Sequence, residues 1–336
     1  MAYTTIDDPT AYFQVKTYTG NGGTNAITFD GNSDLSPDFV WLKMRSHADN
    51  HTLFNTTSGV GERLFSNLTQ AESTESTSLT AFGSDGFTLG ADALANANTK
   101  TFVSWNWKES ATAGFDIVSY TGNGSSGLTV SHSLSAVPSV MIIKNRSGAY
   151  SWGVYHHKNT SAPETETLFL DTTDATADRV NEFNDTAPTS SLFTVGNGNS
   201  VNNSSENFIA YLFAEKQGFS KFGSYTGNGS DTPNGVFIWL GFKPAFILIK
   251  ATDSNSWVIV DNKRPADSNP VDSSLAADST AAETTGDSNT TFDFLSNGFR
   301  TNGNSGNNNS SGQKYIYMAF AENPFVTSTG VPACAR

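Results

Sequence analysis

Apolar and polar residues follow one another in short runs along the whole chain. Residues 13–17 alternate between apolar and polar side chains, which is the period of a strand with one buried face. Residues 39–42 form a continuous apolar run, as expected for a strand that is buried on both faces. Asp85-Gly86 lies between two apolar segments and predicts a tight hairpin. Apart from one predicted helical turn in 174–181, the pattern predicts a protein of short strands.

This pattern occurs three times. Each copy starts with a Tyr-Thr-Gly-Asn-Gly turn, passes through a proline and continues into an apolar run that ends on lysine. The copies lie roughly 100 residues apart, a period that has to be explained before any single residue is interpreted. The anchors are Tyr18, Tyr120 and Tyr225, then Pro37, Pro138 and Pro244, then Lys43, Lys144 and Lys250.

A repeat of this length can close its own core, so the period predicts tandem domains and not a solenoid. Short strands and seven Asn-Gly dipeptides favour antiparallel sandwiches. We therefore predict an all-β protein of three tandem antiparallel β-sandwich domains of jelly-roll or lectin-like type. The predicted boundaries are a lead-in at 1–12, repeats at 13–110, 111–217 and 218–325, and a tail at 326–336. Loops are expected at 66–80, 267–289 and 302–312, the last two at an exposed end.

Composition narrows the classes of function. The 336 residues carry a formal net charge of −13 and no basic stripe, which argues against binding to nucleic acid or to an anionic membrane surface. The only cysteine is Cys334, so no disulfide can form within the chain. We find no secretory signal and no apolar stretch of membrane-spanning length. We expect a protein that is made in a cytoplasm and does not insert into membranes.

Five histidines, His47, His51, His132, His156 and His157, are candidate metal ligands by type. A metal site needs two or three of them to converge with carboxylates. His47 and His51 are four residues apart in a polar loop, and adjacent His156 and His157 alternate across a strand. We predict surface-loop histidines and no metal site. Asp30-Gly-Asn-Ser-Asp34 has oxygen ligands for calcium but lacks a fixed ligand spacing.

No motif for a nucleophile elbow, a nucleotide-phosphate loop or a dinucleotide fold occurs in the required context, and no cofactor is expected. Glu109, Glu215 and Glu322 close the last strand of each repeat. Their recurrence predicts a structural role, such as pairing with the lysine that ends the buried strand. No catalytic or ligand-binding residue is identified.

Trp152 and Trp257 occupy matching positions in repeats 2 and 3, with His51 near that place in repeat 1. An exposed tryptophan could stack on a sugar ring, whereas a buried one would fill the sandwich core. Shared positions mostly encode shared packing, so recurrence favours the core.

Several phrases of the sequence resemble a family of tailed-bacteriophage virion proteins that is common in marine phages and often described as tail-fibre-like. They are the opening 1–22, FVSWNWK at 102–108, the link 214–229 and the ending 315–336. The resemblance covers essentially the whole chain. It implies a β-rich particle component that is assembled in the host cytoplasm, and it supplies no catalytic residues. Cys334 departs from the small or hydroxyl residue expected there.

We therefore expect a non-enzymatic structural component of a virion. The first hypothesis is a tail fibre or receptor-binding protein that contacts a host surface glycan or protein through the Asn/Ser/Gly-rich loops. The alternative is a capsid decoration protein, either cement or spike. A third, a glycan-degrading tailspike, would require a cleft with two close carboxylates, one of raised pKa. Contacts with other virion proteins and a homo-oligomer, such as a trimer, are expected, although three similar domains in one chain could mimic a trimer.

Overall fold

The computed structural model describes residues 2–231, 233–265 and 269–332. Its strands pair antiparallel throughout, which confirms the all-β prediction. The α-helices in the described part are single turns, α1 (Ala93–Asn96), α2 (Val180–Phe183) and α3 (Asn199–Asn202). None of these described helices is long enough to span a membrane.

The strands follow the same order in each repeat. Repeat 1 contains β1 (Phe13–Thr19), β2 (Asn25–Thr28), β3 (Phe39–Met44), β4 (Thr52–Asn55), β5 (Glu62–Arg63), β6 (Ser73–Thr74), β7 (Leu79–Gly83), β8 (Gly86–Leu89) and β9 (Thr101–Trp107). Repeat 2 contains β10 (Phe115–Thr121), β11 (Leu128–Ser131), β12 (Val140–Asn145), β13 (Gly153–His156), β14 (Glu166–Phe169), β15 (Ala177–Asp178), β16 (Leu192–Val195) and β17 (Asn207–Phe213). Repeat 3 contains β18 (Ser220–Thr226), β19 (Phe237–Trp239), β20 (Phe242–Ala251), β21 (Val258–Asp261), β22 (Leu275–Ala276), β23 (Thr291–Leu295), β24 (Gly298–Asn302) and β25 (Lys314–Pro324).

Each repeat forms one large sheet and one small sheet, and repeat 1 also has the two-stranded sheet β5-β6. The large sheets have the strand orders β1-β9-β3-β4, β10-β17-β12-β13-β14-β15 and β18-β25-β20-β21-β22. The small sheets are β2-β8-β7, β11-β16 and β19-β24-β23. The first and last long strands of a repeat are therefore neighbours, and the first is the edge of the large sheet. The predicted hairpin at Asp85-Gly86 joins β7 to β8.

Apolar clusters lie on both faces of the large sheets. Within each repeat one cluster fills the space between the large and small sheets, for example around Phe87 in repeat 1. The opposite faces of the three large sheets meet in a further cluster that takes side chains from all three repeats. There Phe39 lies 4.4 Å from Tyr211 and Phe13 lies 5.2 Å from Phe320, between ring centroids. The repeats thus close a ring around a shared core, which the prediction of separate domains on a string did not include.

This shared core explains why β3 and β12 are buried along their whole length. Alternate side chains of a strand point to opposite faces of the sheet. One set faces the small sheet of the same repeat, and the other faces the neighbouring repeats. The prediction of a strand buried on both faces is confirmed.

The repeated Tyr-Thr-Gly-Asn-Gly turn has a structural cause. In repeat 1 the Tyr18 hydroxyl donates to the Ala95 carbonyl at 2.7 Å, and Asn21 exchanges hydrogen bonds with the buried Asn96. A Cβ at Gly20 would lie 2.2 Å from the Ala97 carbonyl oxygen, and Gly22 has a φ of +69°, so both positions require glycine. The corresponding asparagine pairs are Asn123 with Asn202 and Asn228 with Asn309.

Several predicted loops and turns are wrong in detail. The helical turn expected in 174–181 is the strand β15, and α2 starts only at Val180. The segment 66–80 contains β6, and the described part of 267–289 contains β22. In 302–312, Asn308 and Asn309 are buried because they anchor the turn of repeat 3. Polar composition suggested exposure here, but the Asn309 amide donates to the carbonyls of Ser230 and Gly303 inside the fold. Cys334 lies outside the described residues.

Candidate functional site

Three matching aromatic side chains close the ring between the repeats. Trp152 and Trp257 are buried, which confirms their predicted place in the core, and His51 is buried as well. Each donates a ring N–H to a carbonyl of the preceding repeat in the cycle. The bonds run from Trp152 to Phe65 at 2.9 Å, from Trp257 to Phe169 at 2.8 Å and from His51 to Ala276 at 3.0 Å. These positions hold the ring together and offer no face to a sugar.

Two of the five histidines, His51 and His156, differ from the prediction of surface loops, whereas His47 is exposed in a loop as predicted. His51 also accepts a hydrogen bond from the Trp41 indole at 2.9 Å, and burial lowers its pKa well below the ordinary value. His156 is buried at the end of β13, where it donates to the Tyr317 carbonyl at 3.1 Å, and burial lowers its pKa to about 3. Both are neutral core residues. Within 2–231, 233–265 and 269–332, no three His, Cys, Asp or Glu side chains are grouped to hold a metal ion.

The lysines that end the buried strands are themselves buried. The Lys144 ammonium donates to the carbonyls of Thr69, Asn145 and Tyr150 at 2.9–3.0 Å. Lys250 and Lys43 likewise donate to carbonyls, and burial lowers the pKa of each of the three lysines to about 8. The predicted pairing of these lysines with Glu109, Glu215 and Glu322 is therefore wrong.

Those glutamates lie where the chain leaves one repeat, so they face the next one. The Glu109 carboxylate accepts the Ile117 N–H at 3.4 Å, and Glu215 accepts the Phe222 N–H at 2.9 Å. Glu322 instead pairs with Lys243 of its own repeat at 2.8 Å. Their recurrence is structural, as predicted, but the role is to fix the crossover between repeats.

One of these glutamates belongs to a pair of close carboxyl groups. Burial, followed by the neighbouring Asp116 and Asp38, raises the pKa of Glu109 to about 7. Asp116 is buried and accepts the Ser133 N–H. The catalytic carboxyl groups of glycosidases stand about 5–9.5 Å apart because a glycosidic bond or a water lies between them. Glu109 and Asp116 are in hydrogen-bonding contact, which leaves no such space.

Asp30, considered for calcium, is ion-paired. Its carboxylate contacts the ammonium groups of Lys16 at 3.1 Å and of Lys263 at 3.4 Å. Lys263 belongs to repeat 3, so this triad bridges repeats 1 and 3. A small cleft of about 180 Å³ lies beside it, lined also by Gln14 and Glu322.

A larger groove of about 500 Å³ lies where repeat 2 meets repeat 3. It runs between β18, an edge of the large sheet, and β19, an edge of the small sheet. We call it the aromatic groove. Its lining includes His157, Lys158, Glu215, Lys221, Gly223, Phe237, Trp239 and Tyr317.

The two exposed aromatic residues of this groove occur in repeat 3 alone. Phe237 and Trp239 point outward from β19 and are 45% and 46% exposed, while Ile238 between them is buried. The strand registers place Ala26 and Thr28 of repeat 1, and Thr129 and Ser131 of repeat 2, at the same two positions. Because equivalent positions carry small residues, these rings are not needed for the fold of a repeat.

The floor of the groove differs between repeats as well. Gly223 and Tyr317 face each other across β18 and β25, and a Cβ on Gly223 would lie 2.4 Å from the Tyr317 hydroxyl oxygen. Repeat 2 has Val118 and Ala210 in these places. The neighbouring Tyr225 and Tyr315 hydroxyls donate to carbonyls, whereas that of Tyr317 lines the groove and makes no hydrogen bond with any residue the structure describes.

The sequence reasoning missed this groove because it looked for positions that recur. The available indication was the outward-facing pair in Phe237-Ile-Trp239, which has no counterpart in the other two copies. Residues that recur in all three repeats identify shared packing. Residues that differ in one repeat identify the candidate site.

A family model described as a domain of unknown function (DUF7483) matches residues 8–324. The chain belongs to this family. The match spans all three repeats, so the DUF7483 unit is the complete ring and not one repeat. Its description names no activity, ligand or particle. No curated protein matches the sequence.

Proposed function

We propose that this protein is a non-enzymatic structural component of a tailed-phage virion, displayed on the particle surface as a tail fibre or receptor-binding protein. The phrases shared with tail-fibre-like virion proteins support the particle. The observation that carries adhesion is the aromatic groove, whose two large exposed rings occur only in repeat 3. Exposed aromatic side chains beside polar groups are typical of contact sites.

In this proposal the three repeats are three β-sandwich domains of jelly-roll or lectin-like type, folded in the host cytoplasm and arranged in one ring. Repeats 1 and 2 act as the scaffold that carries repeat 3. The protein contacts other virion proteins and forms a homo-oligomer, and its ligand is a host surface glycan or protein.

Capsid decoration is the second candidate, because the closed ring of three repeats has approximate threefold symmetry. A monomer of this shape would match a threefold position of a capsid lattice, where subunits are related by symmetry. Adhesion requires a binding surface on only one repeat. Decoration of a threefold position requires the three repeats to present similar surfaces to the capsid.

Immunogold labelling of intact particles with an antibody to this protein distinguishes the two candidates. We expect label at the tail tip. Label spread over the head would overturn the adhesion proposal in favour of decoration. Absence of label and of the protein from purified particles would overturn both.

A further inference from the structure

We propose that the aromatic groove binds a pyranose unit of an acidic polysaccharide, with the sugar ring on Trp239 and its carboxylate toward the lysines. The inference rests on the proposed adhesive function and names the chemical class of its ligand. It is carried by the shape of the rim, by the hydroxyl on the floor and by the charge of the lining.

The rim offers two flat apolar surfaces in line. Side chains two residues apart on a strand lie on the same face at about 6.6 Å, so Phe237 and Trp239 form a continuous aromatic edge. A pyranose ring has one face of C–H groups that packs on such a surface, and its hydroxyls remain free for polar partners. Trp239 is held by its edge contact with Phe325, with ring centroids 5.3 Å apart, so its plane is oriented in advance.

The floor offers a hydroxyl that makes no hydrogen bond with any residue the structure describes. Tyr317 lines the groove, so its hydroxyl is available to a ligand there. Gly223 leaves the space into which this hydroxyl projects. A sugar hydroxyl in the groove could accept its proton, and leaving that bond unmade costs binding free energy.

The lining is locally cationic on an acidic protein. Lys158 and Lys221 line the groove with a single described acid, Glu215, although the whole chain carries a net charge of −13. The Lys221 ammonium donates to the Trp239 carbonyl at 2.9 Å, which leaves further protons for a ligand. Because the two lysines outnumber the one described carboxylate of the lining, the groove favours an acidic sugar over a neutral one.

Tryptophan fluorescence gives a direct test, because Trp239 is the exposed one of the six tryptophans. The other five, Trp41, Trp105, Trp107, Trp152 and Trp257, are each at most 3% exposed. Acrylamide quenching of the full chain therefore reports on Trp239. We expect polymannuronate and polygalacturonate hexasaccharides to protect it from quenching and cellohexaose, a neutral hexasaccharide, to do so at least about tenfold less well at equal concentration.

Variants that place the corresponding residues of repeat 2 at the exposed positions of the groove test the site without disturbing the core. Calorimetric titration of Trp239→Ser and Phe237→Thr should show affinity for the uronate oligosaccharide reduced about tenfold or more. Tyr317→Phe removes only the hydroxyl and should weaken binding several-fold. Leu192→Ser changes an exposed apolar residue of β16 in repeat 2 and should bind like the unchanged protein.

Protection of Trp239 by uronates in the unchanged protein, together with weaker calorimetric binding by the groove variants, would support the inference. Equal protection by cellohexaose would overturn the acidic assignment, and a lack of protection by any of the three sugars would overturn the inference as a whole. If none of the three sugars protects Trp239 but the label lies at the tail tip, the adhesive function would be supported with a ligand other than these sugars. If the sugars bind but the label lies on the head, adhesion at the tail would be overturned and the sugar-binding site would still be supported.

Discussion

Equivalent positions at two of the junctions between repeats form different surfaces. Where repeat 3 meets repeat 1 the cleft has about 180 Å³, whereas where repeat 2 meets repeat 3 the aromatic groove has about 500 Å³. The first is bordered by Asp30, which is ion-paired with Lys16 and Lys263. The second has Gly223 at the position of Lys16, and the Tyr317 side chain projects into the space beside this glycine.

The polar contacts across the two junctions differ in the same sense. At the first, Asp261 of repeat 3, held in a buried ion pair with Arg264 of the same repeat, accepts the Trp105 indole N–H of repeat 1 at 2.9 Å. At the same junction Arg45 pairs with Glu283 at 2.8 Å. At the second, the position of Asp261 is taken by the neutral His156. Threonines replace the arginine and the glutamate, although Thr176 keeps the backbone bond to the Thr252 carbonyl. Ionic contacts therefore reinforce the junction without the groove, and neutral ones hold the junction that carries it.

Removing Arg264 should produce the largest loss. Its side chain is fully buried between Asp261, at 2.6 Å, and Glu283, at 3.0 Å. Arg264→Ala leaves Asp261 as a buried charge without its partner, so we expect a loss of about 3–5 kcal/mol in the free energy of unfolding. Urea unfolding followed by circular dichroism measures it.

The matched change at the groove junction is His156→Asn, which installs the residue that repeat 1 has there. It removes one neutral hydrogen bond and should cost about 1–2 kcal/mol. Equal losses for the two variants would contradict the distinction between an ionic and a neutral junction.

Exchanging the floor of the groove should show that Gly223 and Tyr317 depend on each other. Gly223→Val places a side chain against the Tyr317 hydroxyl and should cost about 1–3 kcal/mol through overpacking. In the double variant with Tyr317→Ala, which reproduces the Val118 and Ala210 pair of repeat 2, part of that cost should return. A double-mutant cycle in urea measures the coupling, which we expect at about 1 kcal/mol or more. Additive losses would mean that the two positions vary independently.

The regular part of the fold could be predicted from the sequence. Alternation, the apolar run at 39–42 and the Asp-Gly turn each depend on neighbours in the chain, and the strands formed where they indicated. The burial of Trp152 and Trp257 followed from their recurrence. Such features are local, or are repeated three times and hence visible in one sequence.

Contacts between repeats could not be predicted in this way. Lys144 is buried because carbonyls of two loops, one of them in repeat 1, converge on its ammonium group. No spacing of residues in the sequence predicts this convergence. The pairing of His51 with the Ala276 carbonyl joins residues 225 positions apart. The groove needs Gly223, Trp239 and Tyr317 together, and only the strand registers bring these three to one place.

At the junction of repeats 1 and 2, the corresponding place contains two neighbouring carboxyl groups, those of Glu109 and Asp116. The pKa of Glu109 is about 7 in the folded protein, against an ordinary value of 4.5. The folded protein therefore holds a proton that the unfolded chain has released, and stability should fall as pH rises from about 4.5 to about 7. Since the side chain is only half-buried, solvent screening reduces the effect to about 1 kcal/mol.

Glu109→Gln cannot ionise and should flatten this slope, as should Asp116→Asn, which removes the neighbouring carboxylate. Thermal unfolding at intervals between pH 4.5 and pH 7.5 measures both. An unchanged slope in Glu109→Gln would show that another group is responsible.

The smallest effect is expected from giving the groove junction the ion pair that it lacks. Thr176→Glu with Thr252→Arg copies the pair that Glu72 and Arg146 form between repeats 1 and 2. The backbone bond between the two positions is present in both junctions, so the new side chains start from the same spacing. Because such partly exposed pairs contribute little, and the change removes the hydrogen bond from Asn159 to Thr176, we expect a gain of about 0.5 kcal/mol in thermal unfolding. The gain should disappear in high salt, and Thr176→Glu alone should show none. A gain that persists in high salt would mean that packing, and not charge, separates the junctions.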